Sequence, residues 1–239
     1  MTFWWILATF LAFFVKGISG FANTLVFNSI LSFTVQNVQI SPVDLILGYP
    51  SNIILTIRER KNLDPAIIIP LAAMVLAGNL AGVFLLKNLN GRLVRLFFGF
   101  VVILLGLEML TRHKARQPGT NSAFGMIFFG LLSGVFCGLY GVGALLGAYI
   151  SRYTQNAGAF RSNLCAIFII ENTFRIFLYA FTGILTLPLF LTALRLMPLM
   201  LAGLLCGIAC SDHIEEKQLQ KIIVFLLILS GIMLIAVNL

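Results

Sequence analysis

The sequence predicts an all-α integral membrane protein built of two inverted-topology repeats, each a re-entrant or broken helical hairpin followed by three transmembrane helices. Three observations predict this class. Of the 239 residues, 60% are hydrophobic and 10% charged, whereas a soluble domain carries about 25% charged residues. The chain is duplicated: Leu76-Ala77-Gly78-Asn79-Leu80-Ala81-Gly82 returns as Leu201-Ala202-Gly203-Leu204-Leu205-Cys206-Gly207, and Phe100, Ile103, Leu104 and Gly106 return as Phe225, Ile228, Leu229 and Gly231. Upstream, Gly17-Ile18-Ser19-Gly20-Phe21-Ala22 is answered by Gly138-Leu139-Tyr140-Gly141-Val142-Gly143. Finally, the basic residues divide unequally between the two ends of the helices. Whole-chain duplication in a very apolar protein is the signature of a secondary transporter with its site between the halves.

Apolar stretches run over about 3–15, 20–35, 42–57, 65–86, 91–110, 122–136, 139–151, 160–181, 187–210 and 218–238. The segment 3–35 would be a helix about 50 Å long, too long for a ~30 Å hydrocarbon core, and Lys16-Gly17-Ile18-Ser19-Gly20 interrupts it. Its counterpart 122–151 breaks around Gly138–Gly143. Each therefore reads as two short helices in a hairpin that enters and leaves on one side. Ser41-Pro42 reads as an N-cap with proline at the first helical position, Asp44 completing a capping-box pattern. Asp64-Pro65 does the same for the next helix. The basic run 111–119 is the linker, so the repeats are 1–110 and 120–239. The first cation, Lys16, follows rather than precedes the apolar N-terminal run, which is the wrong order for a cleaved signal peptide.

Charge counting selects the hairpin arrangement. With it, one side collects Arg58, Arg60, Lys61, Arg112, Lys114, Arg116, Arg152, Arg161, Lys217 and Lys221, and the other keeps Lys87, Arg92 and Arg95. That bias marks the first side as cytoplasmic and puts both termini outside the cytoplasm. Single crossings would leave six against seven of the same residues, with no bias. An odd number of full spans per half then inverts the second repeat.

Several functions are excluded. The net charge of +8 is spread over short loops facing lipid headgroups, so nucleic acid is not a partner. Cys137, Cys165, Cys206 and Cys210 lie in apolar segments without a CxxC pair, and His113 and His213 lie in loops, which argues against disulfides and a metal. No phosphate-binding GxxxxGK[ST] loop and no membrane-embedded catalytic histidine or acid pair is present, so neither a nucleotide-driven pump nor an enzyme is indicated. No cofactor is implied.

The glycine-rich stretch 130–143, Gly130-Leu131-Leu132-Ser133-Gly134-Val135-Phe136-Cys137-Gly138-Leu139-Tyr140-Gly141-Val142-Gly143, the small-residue LAGxxxG helix and the duplicated halves resemble the TauE/SafE family of sulfite and sulfonate exporters. The first half departs from that pattern, with Gly20-Phe21-Ala22-Asn23-Thr24-Leu25 and Gly48-Tyr49-Pro50-Ser51-Asn52 at the corresponding places. The resemblance implies a multi-pass transporter of the prokaryotic inner membrane, a homodimer, moving small sulfur-containing or carboxylate anions.

Broken helices expose backbone N–H groups and the positive end of the helix dipole at membrane depth. Gly17, Gly20, Asn23 and Thr24 at the first break, and Gly138, Tyr140, Gly141 and Gly143 at the second, are therefore candidates for an anion cradle. Close packing of the hairpin arms is the alternative role of the glycines. Lys16 beside the first break is an intramembrane cation, a substrate ligand or a residue that snorkels. Glu171 and Arg175, at i and i+4, can pair as a structural unit; alternatively Arg175 binds the anion and Glu171 carries the coupling proton. Ser51, Asn52 and Asn172 are uncharged pocket candidates, with helix capping as their other reading. Tyr149 is assigned to the membrane interface, Glu108 to the periphery, and Gly78/Gly82 and Gly203/Gly207 to helix packing. The leading function is alternating-access transport of a small anion, with a passive anion channel of the same architecture as the rival.

Overall fold

A computed structural model describes residues 3–31, 35, 37–88, 96, 99–100, 103–104, 107, 123–141, 143–151, 153–154, 156–215, 218, 221, 224–225, 228–229, 231–232 and 235–236. The linker 111–119, Glu108 and Arg152 lie outside them. Among the described residues the regular structure is helical: α1 Phe3–Ser19, α2 Asn23–Leu31, α3 Asn37–Arg58, a 3-10 turn Arg60–Asn62, α4 Pro65–Asn88, α5 Ala123–Tyr140, α6 Ala144–Ile150, α7 Ala157–Phe181 and α8 Leu187–Ser211. Among the described residues four helices, α3, α4, α7 and α8, are long and apolar enough to cross a membrane. Large apolar side chains such as Phe3, Phe177, Phe181 and Leu187 lie on the outside, as lipid-facing residues do.

Both long segments break where the glycines stand. The amide of Gly20 donates to the Lys16 carbonyl and that of Gly141 to the Cys137 carbonyl, each at 2.7 Å, closing α1 and α5. Gly20 then takes φ +85° and Gly141 φ +70°, a region where a Cβ meets the following carbonyl. Ser19 staples the first break, its hydroxyl accepting from the Phe21 amide at 3.3 Å and donating to the Val15 carbonyl at 2.8 Å. Trp5 stacks edge-on against Phe27, and Phe129 lies against Tyr149, so α2 folds back along α1 and α6 along α5. Tyr149 is thus buried inside its hairpin rather than exposed on the outer surface, because α6 packs its ring between Phe129 and Tyr153.

Asp64 caps α4 by accepting from the Ala66 amide at 3.0 Å, with Pro65 at the first helical position. The corresponding expectation for Ser41-Pro42 is overturned. Helix α3 starts at Asn37 and carries Pro42 inside it, so Ser41 is not an N-cap; its hydroxyl meets that of Tyr179 at 3.0 Å. Asp44 is consequently an intramembrane residue, buried at 3% exposure.

The halves interlock through small residues. A Cβ on Gly78 or Gly82 of α4 would collide with α5 backbone, and one on Gly203 or Gly207 of α8 with α1 backbone. Each LAGxxxG helix therefore lies against the first helix of the other half. Helices α3 and α7 pass each other antiparallel at the centre: Ser41 meets Tyr179 at one end, and the Asn62 carbonyl accepts from Asn163 Nδ2 at 3.2 Å at the other. At that second end Arg58 pairs with Asp212 at 2.6 Å and Arg161 with Glu59 at 3.3 Å. Arg161 also reaches the Ile18 carbonyl and Ser211, each at 3.4 Å.

Candidate functional site

The break between α1 and α2, the middle of α3, the break between α5 and α6, and α7 enclose one polar cavity. Its envelope is about 410 Å³, including the open side. The lining includes Lys16, Ala22, Asn23, Thr24, Asp44, Gly48, Asn52, Gly141, Gly143, Phe168, Asn172 and Arg175.

Lys16 is the cation of α1, in its last turn, and is 1% exposed. Its ammonium stands 5.9 Å from the Phe13 ring centroid and has no hydrogen-bond or ion-pair partner among the described residues. Arg175, 3% exposed, is held on three sides. Its Nη1 donates to the Cys137 carbonyl at 2.6 Å, its Nη2 to Asn172 Oδ1 at 3.2 Å, and its Nε lies 3.4 Å from Glu171 Oε1. Gly141 leaves the room for this: a Cβ there would fall 2.6 Å from Nη1. The Arg175 guanidinium of α7 thus caps the carbonyl end of α5, where a cation is favoured by the helix dipole.

Asn52 is 1% exposed, and neither its amide nitrogen nor its oxygen has a partner. Buried polar groups are rarely left so; this amide is free to bond a guest in the cavity it lines. Gly48 opens the wall beside it, where a Cβ would sit 3.7 Å from Asn23 Nδ2 and 3.8 Å from Asn172 Nδ2. Ala22 holds φ +67°, a conformation that costs a non-glycine residue about 1–2 kcal/mol. It places the N-terminus of α2 in the cavity wall.

Of the residues singled out from the sequence, Lys16, Asn23, Thr24, Asn52, Gly141, Gly143, Asn172 and Arg175 come together here. Gly17 and Gly138 instead lie in helix contacts, Gly17 against Leu204, Gly207 and Ile208, and Gly138 against Gly82. Gly20 lies under the Arg161 side chain. Ser51 donates to the Gly48 carbonyl at 2.6 Å and stays within its own helix. The Tyr140 side chain lies outside the described set. Glu171 is not in the cavity wall; Asn79 Nδ2 donates to its Oε1 at 2.6 Å and Arg175 pairs with it. Two residues were missed. Asp44 stands in a capping-box pattern that conceals it, although an acid within an apolar helix is the available signal. Asn79 was read only as part of a packing motif.

A multi-pass helical membrane protein with charged and amide groups of both halves gathered around one buried cavity has the construction of a membrane transporter. The chain belongs to the sulfite exporter TauE/SafE family, whose model matches residues 5–234. No curated protein and no solved structure matches it.

Proposed function

We propose that the protein is a secondary transporter exporting small anions, sulfite or an organosulfonate or related carboxylate, by alternating access between two inverted repeats, 1–110 and 120–239. The observation that carries this reading is Lys16. A buried lysine whose ammonium has no hydrogen-bond or ion-pair partner among the described residues is costly in a membrane interior, and it lines a cavity whose wall also includes Arg175 and the unpartnered Asn52 amide. An anion would give Lys16 and the Asn52 amide nitrogen the partner they lack, with the charge of Arg175 close by. Glycine at the two breaks serves here chiefly by letting the hairpins end in the cavity and pack closely.

The inversion is supported by α3 and α7, equivalent helices of the two halves that run antiparallel, and by helix contacts that interchange when the halves are exchanged. The ion pairs of Arg58, Glu59, Arg161 and Asp212 seal one end, the end that the basic residues mark as cytoplasmic. Both termini then lie outside the cytoplasm, in a cell inner membrane.

Reconstituted vesicles distinguish carrier from channel. Unlabelled sulfite inside should accelerate entry of labelled sulfite, because the loaded site returns faster than the empty one. Entry that is indifferent to internal sulfite identifies a passive channel, and no protein-dependent entry contradicts both.

A further inference from the structure

Asp44 is the carboxylate in the cavity wall, and its surroundings are arranged for a proton to come and go. Its Oδ1 accepts from Asn23 Nδ2 at 2.9 Å, and its Oδ2 lies 2.5 Å from Thr24 Oγ1. The charged and titratable groups that act on it are Lys16 from α1 and Arg175 and Tyr179 from α7; α2 presents the uncharged Asn23 and Thr24. Glu171, outside the wall, already offsets Arg175.

With all four ionised, Lys16, Arg175, Asp44 and Glu171 sum to zero. A singly charged anion such as hydrogen sulfite or a sulfonate adds a fifth, uncompensated charge at membrane depth, where charge is expensive. One proton on Asp44 returns the loaded site to neutrality. The hydrogen bonding permits this without orphaning a buried atom, since a hydroxyl both donates and accepts. In the ionised state Thr24 donates to Oδ2. In the protonated state Oδ2–H donates to Thr24 Oγ1, the Asn23 bond to Oδ1 is unchanged, and the hydroxyl hydrogen of Thr24 turns into the cavity that Thr24 lines.

We propose that Asp44 takes up one proton with each anion bound, and that Thr24 reports this to the anion by redirecting its hydroxyl. The proton bonds to Oδ2 on loading and leaves with the anion on the other side, so the step is anion–proton symport. This rests on the transport reading above, and it moves the coupling role from Glu171, which positions Arg175, to Asp44.

Calorimetric titration of the purified protein with sulfite, in buffers of different ionisation enthalpy over a pH series, counts protons taken up per sulfite bound. Sulfite's own titration is common to all variants and cancels in the comparison. At its maximum, wild type should take up about one proton more than Asp44→Asn. Equal uptake in both, or loss of the extra proton in Glu171→Gln instead, overturns the proposal. If Asp44→Asn does not give folded protein, Thr24→Val and Thr24→Ser decide. Loss in the first with retention in the second supports the relay, and any other pattern overturns it. Wild type that binds no sulfite sinks the transport reading, and this proposal with it. Wild type that binds sulfite while Asp44→Asn keeps the extra proton sinks this proposal alone.

Discussion

Lys16 and Arg175 are buried cations in one cavity wall, but only Arg175 is held by the protein. Arg175→Met leaves Glu171 buried with Asn79 as its remaining partner, so it should destabilise the fold by about 3–5 kcal/mol, as breaking a buried ion pair does. Lys16→Met removes a charge that no described side chain contacts in an ion pair, leaves Asp44 able to take up a proton, and keeps the length and volume of the side chain. Its melting temperature should equal or exceed that of wild type. Thermal unfolding of the two variants in detergent checks the contrast, and a strongly destabilised Lys16→Met would show that Lys16 has a structural partner. Sequence alone pointed to both residues, because a cation within an apolar run is conspicuous. It could not rank them, since the Cys137 carbonyl and Asn172 reach Arg175 through folding. Asp44 is hidden by a competing local signal: Ser41-Pro42 resembles a helix start, but the helix already begins at Asn37, and the Ser41 hydroxyl meets that of Tyr179.

At the scale of elements, glycines divide by what they face. Gly82 meets the Val135 carbonyl and the Gly138 Cα across the α4–α5 contact, so Gly82→Val should separate the helices and lower stability by several kcal/mol, on the order of other overpacked sites. Gly48 faces the cavity at ordinary contact distances instead. Gly48→Ala should leave stability unchanged or raise it by up to about 1 kcal/mol through helix propensity, while reducing affinity for organosulfonates more than for sulfite. Melting curves and ligand titrations of the two variants test this, and equal affinity for both anion types in Gly48→Ala would place the guest elsewhere. The small-xxx-small helices and the two breaks were legible in the sequence because repetition exposed them. Which helix each glycine faces was not, because periodicity marks a packing face without naming its partner.

For the whole molecule, the account requires opposite orientations of the halves. In a background without the exposed Cys206 and Cys210, a single cysteine at the exposed Lys61 should react with an impermeant thiol reagent only from the cytoplasmic side. One at the exposed Thr186, in the connection between α7 and α8, should react only from the other. Labelling of both from one side would contradict the inverted arrangement. Charge counting predicts this orientation, and the labelling decides it.

The central claim is that a small anion sits against Lys16 in the cavity shared by both halves. The most direct measurement is the melting temperature of wild type and Lys16→Met with and without sulfite, since a ligand of the folded state raises it. The account predicts a sulfite-dependent rise in wild type and none in a stably folded Lys16→Met. An equal rise in both proteins would contradict it.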